Sequence, residues 1–254
     1  MLFDHPLISE RYFFPFDEQP PEVSWVEAGG HRLACYRRVI DEKAPMVVHF
    51  HGNGEVVADY VPGLADALLA MGVNVFFAEY RGYGGSTGSP KLGSMLGDVE
   101  AIYEATGFAP ERLVVFGRSI GSIYAVEFAR RYPNIGGLVL ESAIADVLER
   151  ILLRAMPDEL GCTLDELEAE RDAYLDHEKK LAGYSGLLLV LHARGDHLVE
   201  PSHAERLHAW ARSPDKRLVL FDRGDHNSIF AYNQAAYLAE LERFLGKVTG
   251  AGWL

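Results

Sequence analysis

The feature that most restricts the fold of this chain is a series of short, almost purely apolar runs that alternate with longer amphipathic stretches. Runs of this kind are typical of strands buried on both faces of a parallel sheet. They predict strands at 46–50, 73–80, 112–117, 137–142, 187–193 and 217–221. Helical patterns are found near 55–71, 94–107, 120–132, 201–212 and 228–245. Alternating strands and helices predict the α/β class, with a mostly parallel sheet and helices on both of its faces.

The region ahead of these strands has a different pattern. Residues 24–26 and 32–39 are β-prone and lie on either side of Gly29-Gly30, which predicts a hairpin. The aromatic run RYFFPF at 11–16 is expected to pack on the body of the protein, and a position at the mouth of a site is the alternative.

One interval, 143–186, interrupts the alternation because it lacks a convincing strand. Thr163 and Glu166 match the capping box that begins many helices, and apolar residues recur after them at helical spacing. The excess of carboxylates in this interval is interpreted as a solvated helix face. We therefore expect a small helical lid insertion within a single domain that extends over 1–254.

The composition argues against several classes of partner. The chain has 254 residues and a net charge of -13, so repulsion disfavours nucleic acid and anionic membrane surfaces. The same charge weakly disfavours anionic substrates. Its apolar runs are far shorter than the ~20 residues that cross a bilayer, and its opening lacks a basic signal-peptide start. We expect no integral membrane association, and the pattern leaves the oligomeric state open.

The two cysteines, Cys35 and Cys162, lie far apart in the sequence. They have neither the short spacing of a zinc site nor the number needed for a disulfide framework. A reducing cytoplasm is the expected compartment, and a single disulfide is the alternative.

The strongest local signal is the segment 117–121, Gly-Arg-Ser-Ile-Gly, which has the form G-x-S-x-G. It follows a predicted strand and opens a predicted helix, which is the setting of a nucleophile elbow. In such a turn the flanking glycines prevent backbone clashes, and the serine hydroxyl is exposed at the carboxyl edge of the sheet. Ser119 is therefore the candidate nucleophile; a glycine-rich turn without chemistry is the alternative.

A serine hydroxyl needs a base to remove its proton, and position selects one of the ten histidines. His226 directly follows the last predicted strand, so it lies at the same edge of the sheet as Ser119. Four other histidines are given different roles: His49 and His51, which precede the serine, and His203 and His208, which are expected on a helix surface.

The base in turn needs a carboxylate that fixes its tautomer and stabilises the imidazolium. Asp196 follows the predicted strand 187–193 and is the preferred candidate. The order Ser119, Asp196, His226 is the chain order of such triads in α/β hydrolases. The competing carboxylates are Glu141, Asp222 and Asp225.

The segment 51–54, His-Gly-Asn-Gly, follows the first apolar strand and is the candidate oxyanion hole. We expect the backbone N–H groups of Asn53 and Ile120 to be the donors, with Gly54 as the weaker alternative to Asn53. A donor of this kind can contribute ~3 kcal/mol of transition-state stabilisation.

Together these segments resemble the α/β-hydrolase superfamily, and more narrowly the serine hydrolases related to serine aminopeptidases, lysophospholipases and protein depalmitoylases. The matching segments are HFHGNGE (49–55), EYRGYGGSTGSP (79–90), GRSIGS (117–122), VLHARGDHLVEPSHAERL (190–207) and DRGDHN (222–227). The resemblance covers almost all of the chain after residue 46.

The resemblance implies a sheet of about eight strands and a reaction without metal or cofactor. It implies that a small-molecule ester, thioester or amide transfers its acyl group to Ser119 and that water then releases the acid. Tyr80 and Arg81, in the matching loop, are interpreted as structural. The short 143–186 insertion disfavours deeply enclosed lipid substrates. A non-hydrolytic acyltransferase or lyase, and a catalytically silent binding protein, are the alternative functions.

Overall fold

The apolar runs form the strands of a single sheet. The computed structural model describes residues 1–248 and 250, and within them the sheet has eight strands. The strands are β1 Ser24–Ala28, β2 His31–Arg38, β3 Met46–Phe50, β4 Asn74–Ala78, β5 Leu113–Arg118, β6 Gly137–Glu141, β7 Leu188–Ala193 and β8 Lys216–Phe221. Their spatial order is β1-β2-β4-β3-β5-β6-β7-β8.

The pairing of the strands explains why polar residues collect at one edge. β1 pairs with β2 in antiparallel fashion, as the hairpin prediction requires, and β2 also pairs with β4 in antiparallel fashion. The strands β4, β3, β5, β6, β7 and β8 run parallel. Phe50, Gly117 and Leu140 are aligned across β3, β5 and β6. The residues that follow these strands therefore meet at the carboxyl edge of the sheet.

Helices cover both faces of the sheet. The α-helices are α1 Pro6–Tyr12, α2 Gly63–Ala70, α3 Asp98–Thr106, α4 Gly121–Arg131, α5 Val147–Ile151, α6 Leu164–Tyr174, α7 His177–Ala182, α8 Pro201–Trp210 and α9 Ile229–Val248. Alternate residues of the strands contribute to two apolar clusters. One cluster includes α3, α4 and α8, and the other includes α2 and α9. Burial on both faces is the reason that the strands lack polar alternation.

Two predicted helices are interrupted. The predicted helix 55–71 is instead a 3-10 turn, Val57–Tyr60, followed by α2. Pro62 lies between them and disfavours a helical backbone at the residue before it; Val61 is extended. The predicted helix 94–107 likewise begins as a 3-10 turn before α3.

α1 was not predicted because its seven residues are too few for a clear apolar period.

The interval 143–186 contains α5, α6 and α7 and no strand among its residues, as expected. The capping box of Thr163 and Glu166 is confirmed at the start of α6. Glu170, further along α6, accepts hydrogen bonds from the N–H groups of Leu2 and Phe3 at 2.9 and 3.0 Å. The insertion is thereby tied to the N-terminal segment.

The expectation that His203 lies at the surface is wrong. Its side chain is buried, and its Nδ1 accepts a hydrogen bond of 3.0 Å from the N–H of Ala145. A polar side chain can be buried on a helix when it satisfies a backbone donor of a neighbouring loop, and the helical period alone does not reveal that partner.

Candidate active site

Ser119 lies in a tight turn between β5 and α4. Its φ is 51°, in the left-handed region that most residues avoid. A Cβ on Gly117 would lie 2.6 Å from the Cβ of Ala125, and one on Gly121 would collide with the carbonyl oxygen of Phe50. The glycines of the motif therefore allow β3, β5 and α4 to approach closely enough to hold the serine in this conformation.

Ser119, His226 and Asp196 come together although they are far apart in the sequence. The Oγ of Ser119 lies 2.8 Å from Nε2 of His226, and Nδ1 of His226 lies 2.7 Å from Oδ2 of Asp196. All three residues are buried. Because the carboxylate accepts from Nδ1, Nε2 of the neutral ring is free to accept from the serine hydroxyl.

Asp196 is held by more than the histidine. Its Oδ1 accepts hydrogen bonds from the N–H groups of Leu198 and Val199 at 2.9 and 2.8 Å. Burial on its own would raise the pKa of this carboxyl group. The hydrogen bonds from His192, His226 and the Val199 backbone outweigh burial, so the pKa of Asp196 lies below its usual range. The group is therefore a carboxylate at neutral pH.

The competing carboxylates have other partners. Asp222 forms an exposed ion pair with Arg194 at 2.9 Å, and Oδ1 of Asp225 accepts from Ser228 in the same loop. Glu141 accepts a hydrogen bond from the hydroxyl of Tyr237. The structure thus directs only Asp196, among the four carboxylates considered, to His226.

The candidate oxyanion donors line the same cavity. Ile120 is the N-cap residue of α4, and neither its N–H nor that of Asn53 donates a hydrogen bond within the described part of the chain. The Asn53 side chain fixes the loop, since its Oδ1 accepts from the Phe14 N–H at 3.1 Å and the Tyr83 hydroxyl at 3.0 Å. Both N–H groups are therefore available to an external acceptor.

A buried ionic network surrounds Arg118, which sequence reasoning missed. Its guanidinium contacts Glu55 at 2.6 Å and Glu141 at 3.2 Å, and Nη2 donates to the carbonyl oxygen of His226 at 2.9 Å. Glu55 also accepts from the Gly52 N–H at 2.6 Å. The network therefore links the turn at Ser119, the loop 51–54 and the loop that carries His226.

The sequence does contain a signal for this network. Arg118 follows a run of buried strand residues, and a buried charge requires a partner. Glu141 is aligned with it on the neighbouring strand. Burial on its own would lower the pKa of Arg118, but Tyr60, Glu141 and Glu55 raise it, so the guanidinium stays charged.

The histidines of β3 and of the loop after it have structural roles. Nε2 of His51 lies 2.6 Å from Oε1 of Glu79. The backbone carbonyl oxygen of His51 accepts a hydrogen bond from the Tyr80 hydroxyl at 2.7 Å. Arg81 forms a buried pair with Asp98, with Nε at 2.8 Å from the carboxylate. His49 is surrounded by aromatic rings, and burial lowers its pKa. These contacts agree with the structural interpretation of Tyr80 and Arg81.

A cavity of about 240 Å³ opens over Ser119. Its apolar wall comprises Phe14, Ile120, Ile144, Leu153, Leu198 and Val199. Tyr12 also lines it, whereas Phe13 packs into the core. The aromatic N-terminal run therefore both packs on the body and reaches the mouth of the site. A larger cavity of about 750 Å³ between α4, α6 and α7 contains none of the three hydrogen-bonded residues.

Two further observations concern the described residues as a whole. No group of three or more histidine, cysteine, aspartate or glutamate side chains among them is arranged to hold a metal ion. None of the helices among residues 1–248 has the length and apolar character needed to span a membrane.

Known proteins resemble this chain in sequence. It is 31% identical over 198 residues to the uncharacterized protein YfhR of Escherichia coli O157:H7, which covers 75% of this chain and 66% of that protein. The chain thus spans slightly less than two thirds of that relative's length. It is 28% identical over 229 residues to human alpha/beta hydrolase domain-containing protein 17B, covering 86% of this chain and 72% of that protein.

The fold has solved counterparts. The esterase Est1E from Butyrivibrio proteoclasticus, solved with ferulic acid, superposes with a TM-score of 0.74 over 90% of this chain and 100% of that chain, at 16% identity. This likeness shows the α/β-hydrolase fold. The model of the serine aminopeptidase (S33) family matches residues 41–167, which include the loop 51–54 and the turn at Ser119. The chain therefore belongs to the serine aminopeptidase (S33) family of α/β hydrolases.

Proposed function

We propose that this chain is a serine hydrolase that cleaves an ester, thioester or amide of a carboxylic acid through an acyl-enzyme on Ser119. The observation that carries the proposal is the continuous hydrogen-bonded chain from Ser119 through His226 to Asp196, with distances of 2.8 and 2.7 Å. These are the spacings at which a histidine can take a proton from a serine hydroxyl. A hydrolase family and an open cavity over the hydroxyl support the same reaction.

The first half of the reaction forms the acyl-enzyme. Nε2 of His226 takes the hydroxyl proton while Oγ of Ser119 attacks the acyl carbonyl carbon. Asp196 stabilises the resulting imidazolium. The bond to the leaving group then breaks, and the imidazolium gives its proton to the departing oxygen, sulfur or nitrogen atom.

The second half repeats these steps with water as the nucleophile. His226 removes a proton from a water molecule that attacks the acyl carbonyl, and the proton passes to Oγ of Ser119 as the acid leaves. In both halves the carbonyl oxygen becomes negative. The free N–H groups of Asn53 and Ile120 would stabilise it, each by ~3 kcal/mol.

We further infer that residues 1–254 act as one hydrolase domain in which 143–186 is a small helical lid insertion; residues 249 and 251–254 of this range lie outside the described part. Only the first portion of the insertion, around Ile144 and Leu153, lines the cavity. Because so little of the insertion covers the cavity, we infer that the substrate is a small acyl compound and not a deeply enclosed lipid.

The test is labelling with a fluorophosphonate probe, which reacts with activated serines, beside a series of p-nitrophenyl esters from acetate to palmitate. We expect the wild type to be labelled and Ser119→Ala to lose both labelling and ester turnover. Ser142→Ala is the matched control because Ser142 also follows a strand and has a positive φ of 46°. A well-folded wild type that is not labelled would contradict the proposal and favour the binding-protein alternative.

A further inference from the structure

The cavity over Ser119 is positively charged, which the composition does not suggest. The whole chain has a net charge of -13. The residues that line the cavity nevertheless include Arg118, Arg150 and Arg154 and no aspartate or glutamate. The expectation that acidity disfavours anionic substrates rests on the net charge, which does not report the local distribution of charge at the cavity.

The three arginines differ in how their charge is balanced. Arg118 is compensated by Glu55 and Glu141. Among the described residues, neither Arg150 nor Arg154 forms an ion pair with a carboxylate, and the Arg150 guanidinium forms no hydrogen bond. The two guanidinium groups at the mouth thus keep their full charge and most of their donors for an external partner.

Glu159, a carboxylate five residues after Arg154 in the sequence, is bound to another arginine. Glu159 accepts two hydrogen bonds from the Arg11 guanidinium, at 2.8 and 3.0 Å. Nη1 of Arg154 donates instead to the Arg11 carbonyl oxygen at 3.1 Å. The guanidinium of Arg154 also lies over the Tyr12 ring, 5.6 Å from its centroid. Both partners are neutral, so no carboxylate among the described residues compensates the charge of Arg154.

The backbone that carries the two arginines is held in place. The Tyr12 hydroxyl lies 2.6 and 2.7 Å from the carbonyl oxygens of Arg150 and Ile151, and Arg11 donates to the carbonyl oxygen of Arg154 at 2.5 Å. Arg150 and Arg154 are four residues apart across the end of α5, a spacing that brings side chains to one side of a helical turn. The wall is therefore preorganised, while its two guanidinium groups have no carboxylate partner within the described part of the chain.

From this arrangement we propose that Arg150 and Arg154 form a subsite for an anionic group, a carboxylate or a phosphate, on the substrate of Ser119. The preferred substrate is then an ester or thioester that carries a negative charge near the scissile bond, with an apolar portion against the Phe14, Ile144 and Leu198 wall. Guanidinium groups suit this role because they bind carboxylate and phosphate with two parallel hydrogen bonds. The proposal rests on the proposed function, since it assigns the substrate of the same site.

The test compares charged and neutral esters of matched shape. One pair, 4-acetoxybenzoate and its methyl ester, differs in charge on the leaving group; the other, mono-p-nitrophenyl glutarate and p-nitrophenyl butyrate, differs in charge on the acyl group. The variants are Arg150→Gln with Arg154→Gln, the corresponding pair of lysine substitutions, and Arg243→Gln. Arg243 is an exposed arginine of α9, and its substitution removes one positive charge far from the cavity, against two in the double variant.

We expect the double glutamine variant to lower kcat/KM for the charged member of one pair about tenfold, as for the loss of one charge-assisted hydrogen bond, with little change for its neutral partner. The loss should fall mainly on KM. The double lysine variant should recover part of it, Arg243→Gln should have no effect, and added salt should reduce the wild-type preference. The pair that responds identifies whether the charge lies on the leaving group or on the acyl group.

Equal losses for charged and neutral esters in both pairs would overturn the subsite. Failure of the proposed function would look different, since the wild type would then not be labelled by fluorophosphonate. The subsite can be tested in that event as well, by measuring binding of 4-acetoxybenzoate and its methyl ester to Ser119→Ala with and without the arginine substitutions. Equal affinities for the charged and the neutral ester, unchanged by the arginine substitutions, would contradict the subsite.

Discussion

Ser119 and Ser142 occupy equivalent places in the sheet. Each directly follows a parallel strand, β5 or β6, and the last residues of those strands, Arg118 and Glu141, are aligned. Their φ angles are 51° and 46°. Each N–H donates to a carbonyl oxygen of the next strand, Ser119 to Glu141 at 2.9 Å and Ser142 to Leu191 at 3.0 Å. By backbone criteria alone, either serine could be a nucleophile.

The surroundings of the two hydroxyl groups differ completely. Oγ of Ser119 meets His226 and faces the cavity, whereas Oγ of Ser142 is buried without a partner among the described residues. α4 begins two residues after Ser119, at Gly121, whereas α5 does not begin until five residues after Ser142. A positive φ at a strand end therefore does not distinguish the two serines. A histidine, a helix N-terminus and the cavity coincide at Ser119 and not at Ser142.

The largest contrast is expected on removing each hydroxyl. Ser119→Ala should lower kcat about a million-fold, as in other serine hydrolases that lose their nucleophile, while Ser142→Ala should stay within about twofold of wild type because no hydrogen bond is lost. Steady-state ester hydrolysis and the urea midpoint of both variants measure this. Comparable losses in the two variants would remove the distinction.

The next contrast concerns the carboxylate behind the histidine. In Asp196→Asn the side-chain oxygen can still accept hydrogen bonds from the N–H groups of Leu198 and Val199. The side-chain NH2 group then faces Nδ1 of His226 and donates a hydrogen bond to it. The ring is then held with its proton on Nε2 and cannot accept from Ser119, so kcat should fall about ten-thousand-fold. Asp222→Asn, in the exposed pair with Arg194, is the matched control. If Asp222→Asn were the more damaging change, the assignment of the acid would be wrong.

The sequence could predict the sheet and the residues at its edge because both depend on short-range patterns. Strands buried on two faces must be apolar throughout, and the residues after them must meet at one edge. The interruption at Pro62 was also visible in the sequence. The helix bounds failed there because the apolar period was followed across a residue that cannot continue a helix.

The charges at the mouth of the cavity were beyond such patterns because they depend on which side chains meet after folding. Arg150 and Arg154 have no carboxylate partner among the described residues, while Glu159 binds Arg11, which lies more than 140 residues earlier in the sequence. Whether an arginine is compensated or free is thus decided by contacts between distant segments. The burial of His203 against Ala145 is of the same kind.

The glycines that distinguish the Ser119 turn provide the third contrast. Gly121→Ala places a Cβ against the carbonyl oxygen of Phe50 and 2.6 Å from that of His51, and backbone atoms cannot yield as a flexible side chain can. We expect a loss of about 3 kcal/mol in the free energy of unfolding. Gly97→Ala is the control, because Gly97 precedes α3 as Ile120 precedes α4, and a Cβ there meets nothing within 4 Å. Urea unfolding at neutral pH would measure both, and equal stabilities would show that the close approach is not needed.

The smallest contrast tests α4, the helix that follows Ser119 and has no counterpart after Ser142. Near its far end Glu127 is surrounded by Arg130, Arg131 and Lys180, at 2.7, 2.8 and 2.9 Å. Burial would raise the pKa of Glu127, but these cations lower it to about 2 from its ordinary value of 4.5. A carboxyl group whose pKa is lowered on folding stabilises the protein above its unfolded pKa, and this stability is lost as the pH falls toward the folded pKa.

The wild type should therefore lose about 2 kcal/mol of stability through this group between pH 5 and pH 2, after discounting for the partly exposed arginines. Glu127→Gln should lack that part of the pH dependence while remaining less stable at pH 7. Exposed Glu178→Gln, on α7, should leave the slope unchanged. Parallel stability curves for the wild type and Glu127→Gln over this range would show that the carboxylate does not anchor α4. The position of Ser119 would then depend on the glycine contacts at the start of the helix and on the Arg118 network, without a contribution from Glu127.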